Sequence, residues 1–147
     1  MRALALLLLP IAAQAQTLAD THFTMNFCYE VRLDAGSAVR PQAGLRSLAL
    51  TREPAGSMHS LGTTPVQVRA TFFGDGQEYR ALASCSPDRD GLECRMEDEG
   101  DFRLDGEGEA VRLSVGEDGM GFGSVWSDGQ RLEPAAEAAP LVLRRCG

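Results

Sequence analysis

The chain has 147 residues and a formal net charge of -7, enough length for one domain with one core and the wrong sign for a nucleic-acid partner, whose phosphates need a basic face. All 14 basic residues are arginine, so a P-loop, a Schiff-base lysine, a Ser-Lys dyad and an S-x-x-K acyl enzyme are all excluded. Charged partners are expected to be cations or basic proteins.

Met1-Arg2, the apolar run from Ala3 to Leu9 and the Ala13-Gln14-Ala15 triplet have the order of a secretory signal peptide. The run is too short to span a bilayer. The expectation is a leader over residues 1–15, cleavage before Gln16, and an exported single all-β domain over residues 16–147, periplasmic or secreted. No later apolar stretch has membrane length, so the mature chain is expected to carry no membrane span.

From residue 23 to 33 Phe23, Met25, Phe27, Tyr29, Val31 and Leu33 alternate with polar residues, the period of a strand. Residues 34–44, rich in Gly, Ala and Pro, read as a loop. A second strand follows over 45–52, and residues 53–65 are irregular. Val66 to Phe72 and Tyr79 to Ser84 form the clearest hairpin, with Asp75-Gly76 as its positive-φ turn. Further strands are expected at 92–96, 102–104, 110–115, 119–125 and 141–145, separated by Asp88 to Gly91, Asp105-Gly106, Asp118-Gly119 and Asp128-Gly129. Residues 133–139 allow one short helical turn between Pro134 and Pro140. The sum is an all-β fold: a small antiparallel barrel or sandwich of roughly eight short strands.

Four cysteines in an exported chain point to two disulfides. The turn-rich segment from Ser86 to Gly91 favours Cys85 with Cys94, which leaves Cys28 with Cys146. No cofactor is called for. A zinc site is not expected, since the Cys85 to Cys94 spacing is too wide for a knuckle and neither His22 nor His59 has a second ligand at suitable spacing.

The densest charge runs from Glu97 to Glu109, and Glu97, Asp98, Glu99 and Asp101 form a candidate acidic partner surface opposed only by Arg103. The stretch from Asp88 to Glu93 has the opening of a calcium loop but lacks its later ligands. Gly119-Met120-Gly121-Phe122-Gly123 has glycines but no following helix, which rules against a dinucleotide site. Gly121, Phe122 and Trp126 remain as a candidate ligand wall. Catalytic residues are not identified: there is no nucleophile elbow, and His59 has no orienting partner.

Three functions follow. The first is a non-enzymatic exported module binding an unknown protein, inhibitor-like in character. The alternative is a carrier of a small apolar ligand inside a barrel. The third is a hydrolase using carboxylates and His59.

Overall fold

Among the described residues alternating side chains build nine strands, because each strand can bury one face and wet the other. The computed structural model describes residues 17–34, 42, 44–53, 62–97, 99–123, 129–134, 136 and 138–147; the expected leader and His59 lie outside them. A helix, α1 (Leu18–His22), precedes β1 (Cys28–Arg32), β2 (Leu45–Arg52), β3 (Thr64–Phe72), β4 (Glu78–Asp88), β5 (Gly91–Met96), β6 (Gly100–Glu107), β7 (Ala110–Phe122), β8 (Gln130–Leu132) and β9 (Leu141–Arg145).

Strands β1 to β7 form an antiparallel meander, and β9 pairs with both β7 and β1, closing an eight-stranded barrel with β8 as an extra strand. The open choice between barrel and sandwich is thereby settled. Strands β8 and β9 share the edge of β7 that faces away from β6: Met120 meets Leu132 near the upper end, and Val111 meets Leu143 near the lower end, where β1 begins.

The inward positions fill the barrel. Leu48, Leu50, Val68, Phe102, Leu104, Leu113 and Leu143 are all fully buried. At the upper end Phe72 packs edge-on against Tyr79 and Phe122, with ring centroids 5.8 and 6.0 Å away. At the lower end α1 acts as a plug. Leu18 lies against Gly106, Phe23 packs edge-on with Phe27 at 4.9 Å, and the Tyr29 hydroxyl donates to the His22 carbonyl at 2.8 Å.

Several expected boundaries move. The strand expected over residues 23–33 begins only at Cys28, because Thr17 and Asp20 form a capping box that starts a helix and Asn26, at φ 62, turns the chain afterwards. Phe23 and Phe27 are buried by this turn, but Met25 is 78% exposed. In the β3–β4 hairpin the positive φ falls on Gly74 rather than at Asp75-Gly76. Asp105-Gly106 lies inside β6, and the turn that follows uses Gly108 at φ 61. The two strands expected at 110–115 and 119–125 join as β7. Its Asp118-Gly119 pair sits in an irregularity where the register against β6 shifts, so these residues bend a strand instead of ending it. Within the short helical turn expected over 133–139, Ala138 N–H donates to the Pro134 carbonyl at 3.1 Å, but no helix is assigned there among the described residues, which omit 135 and 137.

Both expected disulfides are present. Cys85 and Cys94 are direct cross-strand partners, buried in the core. Cys28–Cys146 joins the ends of β1 and β9. There the ladder is short, pairing only Tyr29 with Arg145 and Glu30 with Arg144, whereas β3 and β4 pair without a break from Thr64–Cys85 to Thr71–Glu78. Higher up, the buried Gln42 supplies what a strand would. Its amide donates to the Glu133 carbonyl at 2.9 Å and accepts from the Glu133 N–H at 2.7 Å.

Replacing Cys28 and Cys146 by Ser is expected to lower stability by about 4 to 5 kcal/mol, the chain-entropy value for so long a loop; urea denaturation measures it, and an unchanged midpoint contradicts the stapling role. Gln42→Ala removes both part-buried hydrogen bonds to the Glu133 peptide group and is expected to cost about 1 kcal/mol in the same experiment.

Candidate functional site

Strand β6 runs the height of the barrel, so the acidic run is dispersed. Glu97 and Glu99 stand at the upper end and Glu107 and Glu109 at the lower; Asp98 lies outside the described residues. Neighbouring strands also supply cations, contrary to the expectation that Arg103 stands alone. Arg131 pairs with Glu99 and Arg112 approaches Asp105 at 4.0 Å. Asp101 is half-buried against Gly116, where any Cβ would strike its carboxylate. The acidic candidates therefore form a partly neutralised rim.

Arg103 itself binds Asp88 at 2.8 Å, Glu93 at 3.1 Å and Asp105 at 3.1 Å. Burial opposes its charge, but the hydrogen bonds and attraction of these carboxylates outweigh it and raise its pKa. Its Nη2 also donates to the Asp88 carbonyl at 3.0 Å. Two of the three carboxylates that gave residues 88–93 their calcium-loop look, Asp88 and Glu93, are thus engaged by a guanidinium. Gly91 is required there because a Cβ would come within 2.4 Å of the Leu104 carbonyl on β6. Among the described residues no group of three or more His, Cys, Asp or Glu side chains could hold a metal ion.

Gly121 and Phe122 face opposite sides of β7. The Glu99 carboxylate covers Gly121, while Phe122 belongs to the core; Trp126 lies outside the described residues. His22 is occupied at both ring nitrogens, by the Thr21 hydroxyl at 2.7 Å and the Gly108 carbonyl at 2.7 Å, and so fastens α1 to the β6–β7 turn.

The feature that pattern reading missed is the lower tip, residues 24–27. Phe27 N–H donates to the Thr24 carbonyl at 3.3 Å, and the positive φ at Asn26 is what a type II turn needs at its third residue. Met25 occupies the corner. Concavities of about 300 and 230 Å³ flank it, one reaching Arg145 and Cys146, the other Arg52, Thr64 and Pro65. Neither Arg52 nor Arg145 makes an ion pair with a described carboxylate. The sequence signal was faint: an Asn directly after a Met inside an apparently regular alternation.

At the opposite end Asp75 accepts from the Tyr79 hydroxyl at 2.5 Å, from Gln77 N–H at 3.0 Å and from Gln130 at 3.3 Å. These hydrogen bonds, Tyr79 foremost, hold its carboxyl below the usual carboxylate range. A carboxyl whose folded pKa is lowered stabilises above its unfolded pKa of about 4, and that contribution is lost as pH falls through the lowered value. Asp75→Asn is therefore expected to be less stable than the parent near neutral pH, with the gap closing on acidification below about pH 4; a gap independent of pH in urea melts contradicts this.

Neither a protein-family model, nor a curated protein sequence, nor a solved structure matches this chain.

Proposed function

We propose that the protein is a non-enzymatic exported module that binds a partner protein through its lower end, with Met25 as the anchor. The observation that carries this reading is the contrast at residues 23–27: the side chains of Phe23 and Phe27 are buried, and Met25 between them is 78% exposed. The turn runs from α1, which the Tyr29 hydroxyl ties to β1 through the His22 carbonyl, into the Cys28–Cys146 bridge, so little ordering remains to be done on binding. Methionine and arginine are both enriched in interface cores, and Arg52 and Arg145 flank this one. The complementary surface is an apolar pocket with an acidic rim. That differs from the basic partner suggested by the net charge.

Export rests on the leader-like residues 1–15 together with two disulfides, which persist in oxidising compartments. An inhibitor role is compatible with the tip, but through occlusion. Residues 24–27 form a turn, not the extended strand that a protease holds as substrate. The filled barrel interior speaks against an enclosed apolar cargo.

A photoreactive phenylalanine analogue placed at position 25, and separately at position 97, distinguishes the two partner surfaces. Irradiation in the export compartment is expected to yield a discrete protein adduct from position 25 that persists in high salt. An adduct from position 97 alone, lost as salt rises, would transfer the function to the acidic rim. No adduct from either position overturns the docking reading.

A further inference from the structure

A concavity of about 590 Å³ lies on the outer faces of β1, β2 and β3, remote from the lower tip. Its volume is within the range of small-molecule sites, roughly 300 to 1,000 Å³. Two local features create it. Ala49 is cross-strand neighbour to both Glu30 and Arg69, so a short side chain separates long ones and leaves a trough. One step along, the register between β2 and β3 shifts, with Leu45 opposite Phe72 and Ser47 opposite Thr71, leaving Arg46 as the extra residue. Such a bulge re-aims a side chain, and Arg46 lines the trough.

The charges around it are unequally engaged. Glu78 takes two hydrogen bonds from Arg69, at 3.2 and 3.0 Å, and a third from Arg80 at 2.9 Å; these hold its carboxyl below the ordinary range. Glu30 lies 3.6 Å from Arg32. Arg46 pairs with no described carboxylate, and Arg69 engages Glu78 through Nε and Nη2. Between these two arginines the Ser47 and Thr71 hydroxyls share one hydrogen bond of 2.6 Å. One O–H makes that bond, so the other is not used in it. Asp34 stands on the rim. It repels a bare polyanion but accepts from a hydroxyl.

We propose that this trough binds a small hydroxylated organic anion, with its carboxylate or phosphate oxygens held by Arg46 and Arg69 over Ser47 and Thr71 and its hydroxyl groups turned toward Asp34. A guanidinium offers oxyanions a fork of donors that lysine cannot. In a chain of net charge -7, Arg46 lines this concavity without a described carboxylate partner.

Isothermal titration with citrate and with glucose 6-phosphate tests the site on the intact protein. The expected result is single-site saturable binding of at least one, weakened about tenfold or more by Arg46→Gln and abolished by Ala49→Leu, which fills the trough without touching a charge. Arg95→Gln, on β5 across the barrel, is expected to leave it unchanged. Tighter binding of citrate names the site a carboxylate site; tighter binding of the sugar phosphate names it a phosphate site. No saturation by either ligand up to about 10 mM, or binding indifferent to both Arg46→Gln and Ala49→Leu, overturns the proposal. Should Ala49→Leu fail to fold, Arg46→Gln alone decides.

Discussion

Closing the ring between β1 and β9 is the constraint on which the rest of the molecule depends. Seven strands follow one another as a meander, each held to the next by a local turn or connection, but the last junction joins residues at opposite ends of the chain. Its ladder spans only Tyr29–Arg145 and Glu30–Arg144. A sheet left open there would expose the edges of β1 and β9 and wet the core. Cys28–Cys146 secures the lower part of the junction, with the Cys146 N–H donating to the Cys28 carbonyl at 3.1 Å, and Gln42 ties the upper part to Glu133. The tip that carries Met25 enters β1 directly beside that bridge. Closure and presentation of the tip are therefore one problem with one covalent solution.

Charge is distributed by strand. On β9 and β1 to β4 arginines (Arg32, Arg46, Arg52, Arg69, Arg80, Arg144 and Arg145) outnumber Glu30, Glu78 and Asp88, whereas on β5 to β7 Glu93, Asp101, Asp105, Glu107, Glu117 and Asp118 outnumber Arg95, Arg103 and Arg112. A net charge is a sum and has no direction. The overall acidity governs solubility and long-range repulsion, but recognition at close range follows the local sign. The concavities at the tip reach Arg145 and Arg52, and the trough sets Arg32, Arg46 and Arg69 beside Glu30, Asp34 and Glu78, so the local sign at neither follows the net charge.

Much of the fold was legible in the sequence because period-two alternation has one cause in a barrel, an inside and an outside. Val66, Val68, Ala70 and Phe72 show it plainly, and the cysteine pairing followed from the turn between Cys85 and Cys94. Alternation misled where a second cause produced it. Phe23 and Phe27 are buried because a turn folds them under the barrel, and the same spacing places Met25 in solvent. Glycine was also read too uniformly. Gly108 does reverse the chain at a positive φ, but Gly119, also at positive φ, only bends β7. The trough was not legible, since it needs the register that sets Ala49 between Glu30 and Arg69 and the bulge at Arg46. Long-range pairing decides both, and no local pattern encodes it.

Hydrogen exchange at single-residue resolution, before and after selective reduction of Cys28–Cys146, tests the role of the closing junction most directly. That bridge is half-buried while Cys85–Cys94 is enclosed in the core, so mild reductant has a preferred target. Amides of β1 and β9 are expected to lose protection first, with β3 and β4 keeping theirs. Unchanged protection in β1 and β9, or a uniform loss across all strands, would show that closure does not depend on the bridge.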